Sequence, residues 1–197
     1  MVVFDPDGHR GTFCLDATPT GPKGEVELKA EFGGPMPPGN WLAQVWAGHV
    51  NQPLHYCLHA EGAVEPPRVG TRPTMPAVAD LAHVVHGGPE WYQGELHTHT
   101  TFSDGVLPPV GLLEQARSAG VQFMAITDHN TIGAWPALAD IPDICIIPGL
   151  EITMPGGHCN LFGLQRWLDW RIDYRGRTMT EALCEARESG ALVSINH

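Results

Sequence analysis

The chain predicts an α/β fold, in which strands alternate with helices over a parallel sheet or barrel, preceded by a small antiparallel β domain. Three observations carry this. From Trp91 onward, short apolar runs alternate with capped helical segments. Upstream, Val26, Leu28, Ala30 and Phe32 alternate with Glu25, Glu27, Lys29 and Glu31 at the period of a half-buried strand. Between the two, Pro66, Pro67, Pro73, Pro76 and Gly87-Gly88-Pro89 interrupt regular structure. The expected divisions are a β-sandwich-like domain over 1–64, a linker over 65–90 and the α/β domain over 91–197.

In the β domain, Trp41, Ala43, Val45 and Ala47 form a second candidate strand, and Leu54, Tyr56 and Leu58 a third. The Gly/Pro-rich stretch Gly33 to Asn40 supplies the turn between the first two. Ala77 to Val85 leaves helix and strand equally open. Trp91 to Leu96 then reads as a strand, and Pro109 to Ala119 as a helix started by proline and stopped by Gly120. Val121 to Thr127 is a short apolar strand, followed by a brief helical piece around Pro136 to Ala139. Ile144 to Ile147 and Asn160 to Leu164 are further strands. Thr178 and Glu181 fit a capping box at the head of a helix over Thr178 to Ser189, which Gly190 ends. Ala191 to Asn196 is the last strand.

Composition narrows the function. A hydrophobic content of 43% with 17% charged residues is ordinary for a soluble globular protein, and no apolar run is long enough to span a bilayer. The start shows no basic stretch followed by an apolar one, so a cytoplasmic location is the default expectation. A net charge of −11 argues against a broad surface for nucleic-acid backbones and leaves a small anionic ester as the expected partner. Bound divalent cations invert such a field locally. Cys14, Cys57, Cys145, Cys159 and Cys184 are scattered without a CxxC pair, which excludes a thiolate zinc knot or disulfide framework from the expectations.

The eleven histidines are the compositional signal. His97 and His99 close the first strand of the α/β half, His129 follows the second, Glu151 the third, His158 adjoins another, and His197 ends the last. Parallel α/β folds carry their sites at such strand ends. Residues i and i+2 share a strand face, so His97 and His99 can share one metal with Thr98 turned away. Asp104 lies in the loop beyond, where Gly105 permits a tight return. Of the adjacent Asp128-His129, His129 is assigned as ligand and Asp128 as the partner that fixes an imidazole or a ligating loop. Glu151 offers two oxygens for bridging, and His158 and His197 could complete another ion's shell. Imidazoles and carboxylates without thiolate suit Zn, Mn or Fe. Two or three such ions would lower the pKa of a bridging water and neutralise charge on a phosphoryl oxygen, with no separate protein nucleophile. Each residue has a bland reading: an HxH pair alone is commonly a surface pair, and Asp128 alone a helix cap. Six candidate ligands at or beside strand ends are not explained that way together.

The stretch Gly94-Glu95-Leu96-His97-Thr98-His99-Thr100-Thr101-Phe102-Ser103-Asp104-Gly105 resembles the first motif of PHP (polymerase and histidinol phosphatase) domains. Ile126 to Thr131 resembles the second, Pro148 to Thr153 with Gly157-His158 the third, and Ser194-Ile195-Asn196-His197 the start of the fourth. The upstream β domain, with Asn40-Trp41 after its turn, resembles the forerunner domain of the carbaryl-hydrolase-like branch. The resemblance implies a distorted seven-stranded (β/α) barrel with up to three ions. It makes His97, His99 and Glu151 ligands of one, Asp104 and His129 of another, and Glu151, His158 and His197 of a third. Asp104, His129 and Glu151 are then the catalytic centre. Family members continue to a late Asp-x-His pair, whereas this chain stops at His197. The expectation is therefore the N-terminal half of a barrel, a fragment whose activity alone is open.

Gln165 to Arg177 holds four of the eleven Lys and Arg residues and follows a strand. There Arg171, Arg175 or Arg177 could grip a substrate anion while Trp167 or Trp170 forms an apolar wall. The competing reading is a solvated loop whose arginines pair with Asp169 and Asp173. The leading function is a metal-dependent hydrolase of small phosphate esters, with carbamate or carboxylic ester hydrolysis as runner-up. A non-catalytic metal-binding PHP module is the reading from another class, and the acidic balance counts against a nucleic-acid exonuclease.

Overall fold

The structure, a computed structural model, describes residues 2–5, 8–12, 38–45, 87–138, 143–154, 156–172 and 176–196. The strands expected at 25–32 and 54–58, the stretch 77–85, Arg175 and His197 lie outside the described residues.

Near the N-terminus, β1 (Val2–Asp5) pairs antiparallel with β2 (Gly8–Thr12) on one side and β3 (Leu42–Gln44) on the other. β3 falls inside the expected Trp41–Ala47 strand. β1 and β2 were not expected, although the apolar Val2-Val3-Phe4 followed by the turn-forming composition Asp5-Pro6-Asp7-Gly8 is a hairpin signal.

The α/β half is a sheet of five strands in sequence order: β4 (Gly94–Glu95), β5 (Phe123–Ile126), β6 (Cys145–Met154), β7 (Gly157–Phe162) and β8 (Leu192–Ile195). β4 and β6 pair parallel with β5, but β7 is antiparallel to both β6 and β8. The wholly parallel expectation is thus corrected to a mixed sheet. The physical reason is the short Met154–Gly157 connection, since a parallel partner needs a crossover of roughly a dozen residues or more. β6 also runs well past Ile147, so Glu151 stands within a strand instead of after one.

Helix α1 (Pro109–Ser118) starts on proline as expected, and Gly120 closes it at φ +71°, a conformation that costs other residues a Cβ clash. It buries Leu113 and Ala116 among Met124, Ile126, Ile144 and Leu138, the last from the 3₁₀ turn Trp135–Leu138. Helix α2 (Met179–Glu188) carries both halves of the Thr178–Glu181 capping box. Its Ala182 and Ala186 pack on Leu150, Ile152, Cys159 and Leu161. Burying each of those leucine or isoleucine side chains stabilises the fold by about 1.5–3 kcal/mol. Because strand side chains alternate, sending Leu150 and Ile152 to the helix side turns Gly149, Glu151 and Thr153 to the other face. That face carries the site.

Candidate metal centre

Beyond β4 the chain stays stitched to β5. The Thr98 amide donates to Thr127 Oγ1 (3.1 Å), the Thr98 hydroxyl to the Ala125 carbonyl (2.6 Å), and the Thr127 amide to the Thr98 carbonyl (2.9 Å). Thr98 is therefore turned away, and the neighbouring rings of His97 and His99 lie 4.9 Å apart between centroids. The loop that follows hangs on Asp128. Its buried carboxylate accepts from the Thr100 amide (2.6 Å), the Thr100 hydroxyl (2.7 Å) and the Ser103 hydroxyl (2.6 Å). Asp128 thus fixes the loop that carries Asp104. Gly105 closes the loop against the His99 backbone so tightly that a Cβ there would stand 2.2 Å from the His99 carbonyl oxygen. This brings Asp104 back towards His99 and His129, with carboxylate–imidazole separations of 3.6 and 3.4 Å.

Residues 128–130 continue the parallel pairing past the end of β5. The Glu151 amide donates to the Asp128 carbonyl (3.2 Å) and the Asn130 amide to the Glu151 carbonyl (2.9 Å), so His129 and Glu151 stand side by side. Asn130, at φ +56°, clamps Thr153 through both side-chain atoms at 2.9 Å. The Thr153 hydroxyl in turn hydrogen-bonds His129 Nδ1.

Glu151 is the centre of the arrangement, with a side chain only 1% exposed. Its Oε2 faces His97 Nε2 (3.1 Å), His99 Nε2 (3.3 Å) and His129 Nδ1 (3.1 Å). Its Oε1 faces His158 Nδ1 (3.1 Å) and accepts from the Asn196 amide (2.9 Å). Burial alone would raise the Glu151 pKa. The Asn196 hydrogen bond, the His129 charge and the His97 contact together outweigh it and hold the carboxyl below its ordinary range. For His99, burial first and then repulsion from His129 prevail over the pull of Asp104 and Glu151, keeping the imidazole below its usual pKa. A neutral ring has a lone pair to offer a cation.

Three overlapping groups could each hold an ion: His97, His99 and Glu151; His99, Asp104 and His129; His129, Glu151 and His158. The donor chemistry fits a divalent cation. A buried carboxylate meets only imidazoles as ion-pair partners among the described residues, and His99 Nδ1 is buried without a hydrogen-bond partner. The sequence thus placed six ligand candidates that the structure brings together: His97, His99, Asp104, His129, Glu151 and His158.

The substrate-side arginines are differently disposed. Arg171 is 6% exposed and donates to both Asp169 oxygens at 2.7 Å, and its remaining arm bonds Gln44 of β3. Arg177 pairs with Glu185 at 2.6 Å. The Asp169 pairing was the competing reading of this loop, but Arg171 makes it in the interior and not as part of a solvated loop. Trp170 is buried in the apolar cluster behind β6 and β7, with Trp167 packed against it. Asn130, Thr153 and Asn196 were not singled out from sequence. Asn130 and Asn196 adjoin predicted ligands, which is a signal in itself, whereas the contact of Thr153 depends on how far β6 extends.

No family model matches the chain. It is similar to the 5'-3' exoribonuclease Rnm of Salmonella typhimurium, 42% identical over 64 residues, covering 30% of this chain and 22% of that enzyme. It is 50% identical over 63 residues to a 5'-3' exoribonuclease of Haemophilus influenzae, covering 30% of this chain and 23% of that one. The match thus spans less than a quarter of the length of these curated relatives. Among solved structures, the chain is similar to a two-domain Bacteroides vulgatus protein containing a predicted PHP-like metal-dependent phosphoesterase. The TM-score there is 0.40 at 26% identity, over 52% of this chain and 34% of that one.

Proposed function

We propose that this chain carries the metal centre of a PHP-type metal-dependent hydrolase acting on small phosphate esters. The observation behind it is the convergence of four imidazoles on both oxygens of buried Glu151, with Asp104 against two of the same imidazoles. In this reading His97, His99 and Glu151 hold one ion, Asp104 and His129 a second, and Glu151, His158 and His197 a third. When bound, divalent Zn, Mn or Fe supplies Lewis acidity: it activates water at neutral pH and neutralises charge on the phosphoryl oxygen. The protein's own part is positional. Asp128 locks the Asp104 loop, Thr98 keeps His97 and His99 on one face, and Asn130 and Thr153 hold His129 beside Glu151. The division at 64 and 90, completion to a seven-stranded barrel, the carbaryl-hydrolase-like branch and a cytoplasmic setting belong to the same proposal. Among the described residues no helix is long and apolar enough to cross a membrane.

A second reading is favoured by the curated relatives, which are named 5'-3' exoribonucleases. The same centre would then cleave a terminal phosphodiester of RNA, although the −11 net charge weighs against a long backbone-binding surface. The test is hydrolysis of p-nitrophenyl phosphate, bis-p-nitrophenyl phosphate, an aryl carbamate and a short 5'-phosphorylated RNA, with Mn or Zn and with chelator. Chelator-sensitive turnover of the phosphate esters supports the first reading, and turnover of the RNA alone supports the second. Preference for the carbamate would move the assignment to the carbamate hydrolases. Turnover of none with metal bound would leave a non-catalytic module.

A further inference from the structure

We infer that Asn196 is a positioning residue that holds the Glu151 carboxylate so that its two oxygens serve different ligand groups, an inference that rests on the metal reading above. Asn196 follows β8, and its backbone amide donates to the His158 carbonyl (3.1 Å), extending the β7–β8 ladder by one residue. Strand alternation puts Asn196 on the face of Ser194, whose partner across the sheet is Asn160, itself the partner of Glu151. From there its Nδ2 donates 2.9 Å to Glu151 Oε1.

The two carboxylate oxygens have unequal surroundings. Oε2 is ringed by three imidazole nitrogens, and Oε1 by one imidazole and this amide. Once the imidazoles turn their lone pairs to cations, they can no longer hydrogen-bond the carboxylate. The Asn196 amide can, because its nitrogen lone pair is delocalised and is no ligand. It is then the described side chain that still prevents the carboxylate from pivoting. An ion held by Glu151 and His158 would depend on it most, because His158 is the imidazole that faces the same oxygen as the Asn196 amide.

The test uses the full chain, with Mn²⁺ titrated by calorimetry and thermal midpoints measured with and without Mn²⁺. Asn196→Leu should weaken at least one class of bound ion by roughly tenfold to a hundredfold, the range for lost partners of metal ligands. Asn196→Asp keeps the shape but sets a second carboxylate against Glu151. Its midpoint without metal should fall, and the Mn²⁺-induced rise should exceed that of the parent chain. A purely structural asparagine would lower both midpoints alike. An Asn196→Leu isotherm superimposable on the parent's, or an unenlarged Mn²⁺ response in Asn196→Asp, overturns the inference and leaves the metal reading standing. Absence of Mn²⁺ binding by the parent chain overturns both. Should the leucine variant fail to fold, the aspartate variant decides.

Discussion

Asp169 receives two of the three Arg171 guanidinium nitrogens, each at 2.7 Å, while Glu151, more deeply buried, receives four imidazoles and one amide. The first carboxylate is neutralised by a permanent cation of its own chain, two residues away. The second is surrounded by groups that carry charge only when protonated. Burying a carboxylate is costly without a compensating partner, so the two surroundings imply different requirements. The Asp169 pair is complete and holds the structure. The Glu151 cluster balances its charge only with protons or with cations, which is why the proposed metal reading falls on it and not on Asp169. The difference teaches that burial of a carboxylate does not mark a site; the kind of partner around it does.

The sharpest way to break this contrast is Glu151→Gln, which keeps shape and removes the charge. It should reduce Mn²⁺ or Zn²⁺ affinity by a hundredfold or more, at least as much as losing a supporting contact (roughly 10–100-fold), and turnover with it. Calorimetry and a chromogenic phosphate ester read both, and an unchanged isotherm would return Glu151 to a structural role. Next, adding metal to chelator-treated protein should raise unfolding free energy by about 2.7 kcal/mol at a free concentration of roughly 100 Kd, seen as a thermal shift that chelator reverses.

Arg171→Met should cost about 1–3 kcal/mol in urea unfolding, because it leaves Asp169 and Gln44 without their partner. Metal affinity should not move, and a matching loss of affinity would merge the two regions into one network. A pH titration sharpens the same point. Burial would raise the Asp169 pKa, but its hydrogen bonds and charge interaction with Arg171 outweigh this and hold the carboxyl below the ordinary aspartate range. The folded state therefore binds that proton less readily than the unfolded one. The resulting stability is complete above the usual aspartate pKa and disappears as pH falls through and below it. The difference in unfolding free energy between the parent chain and Asp169→Asn should shrink as pH is lowered from 7 into the acid range. The smallest effect is expected away from both regions: Thr178→Ala removes the cap of α2 and should cost about 1 kcal/mol with metal binding intact.

Much of this was legible in residues read singly. Pro109 and Gly120 bracket α1, and Thr178, Glu181 and Gly190 bracket α2, because caps and stops act within a few residues of the backbone groups they satisfy. The cluster of candidate residues was legible for a related reason: imidazoles and carboxylates at a run of strand ends have few other uses. The mixed sense of the sheet was not. Met154-Pro155-Gly156-Gly157 between two apolar runs carries a hairpin signal, but reading β6 as ending at Ile147 hid it.

By itself the sequence determined what is encoded locally: which segments are helical, where they stop, and which side chains have the chemistry to bind a cation. Only the tertiary structure decided the sense in which β7 and β8 pair, and with it the delivery of Asn196 to Glu151 across two strands. It also gave Arg171 its partners, Asp169 and, 127 residues upstream in sequence, Gln44. Those outcomes depend on contacts between distant segments, whose energies are set by packing and burial and leave no periodic mark on the chain.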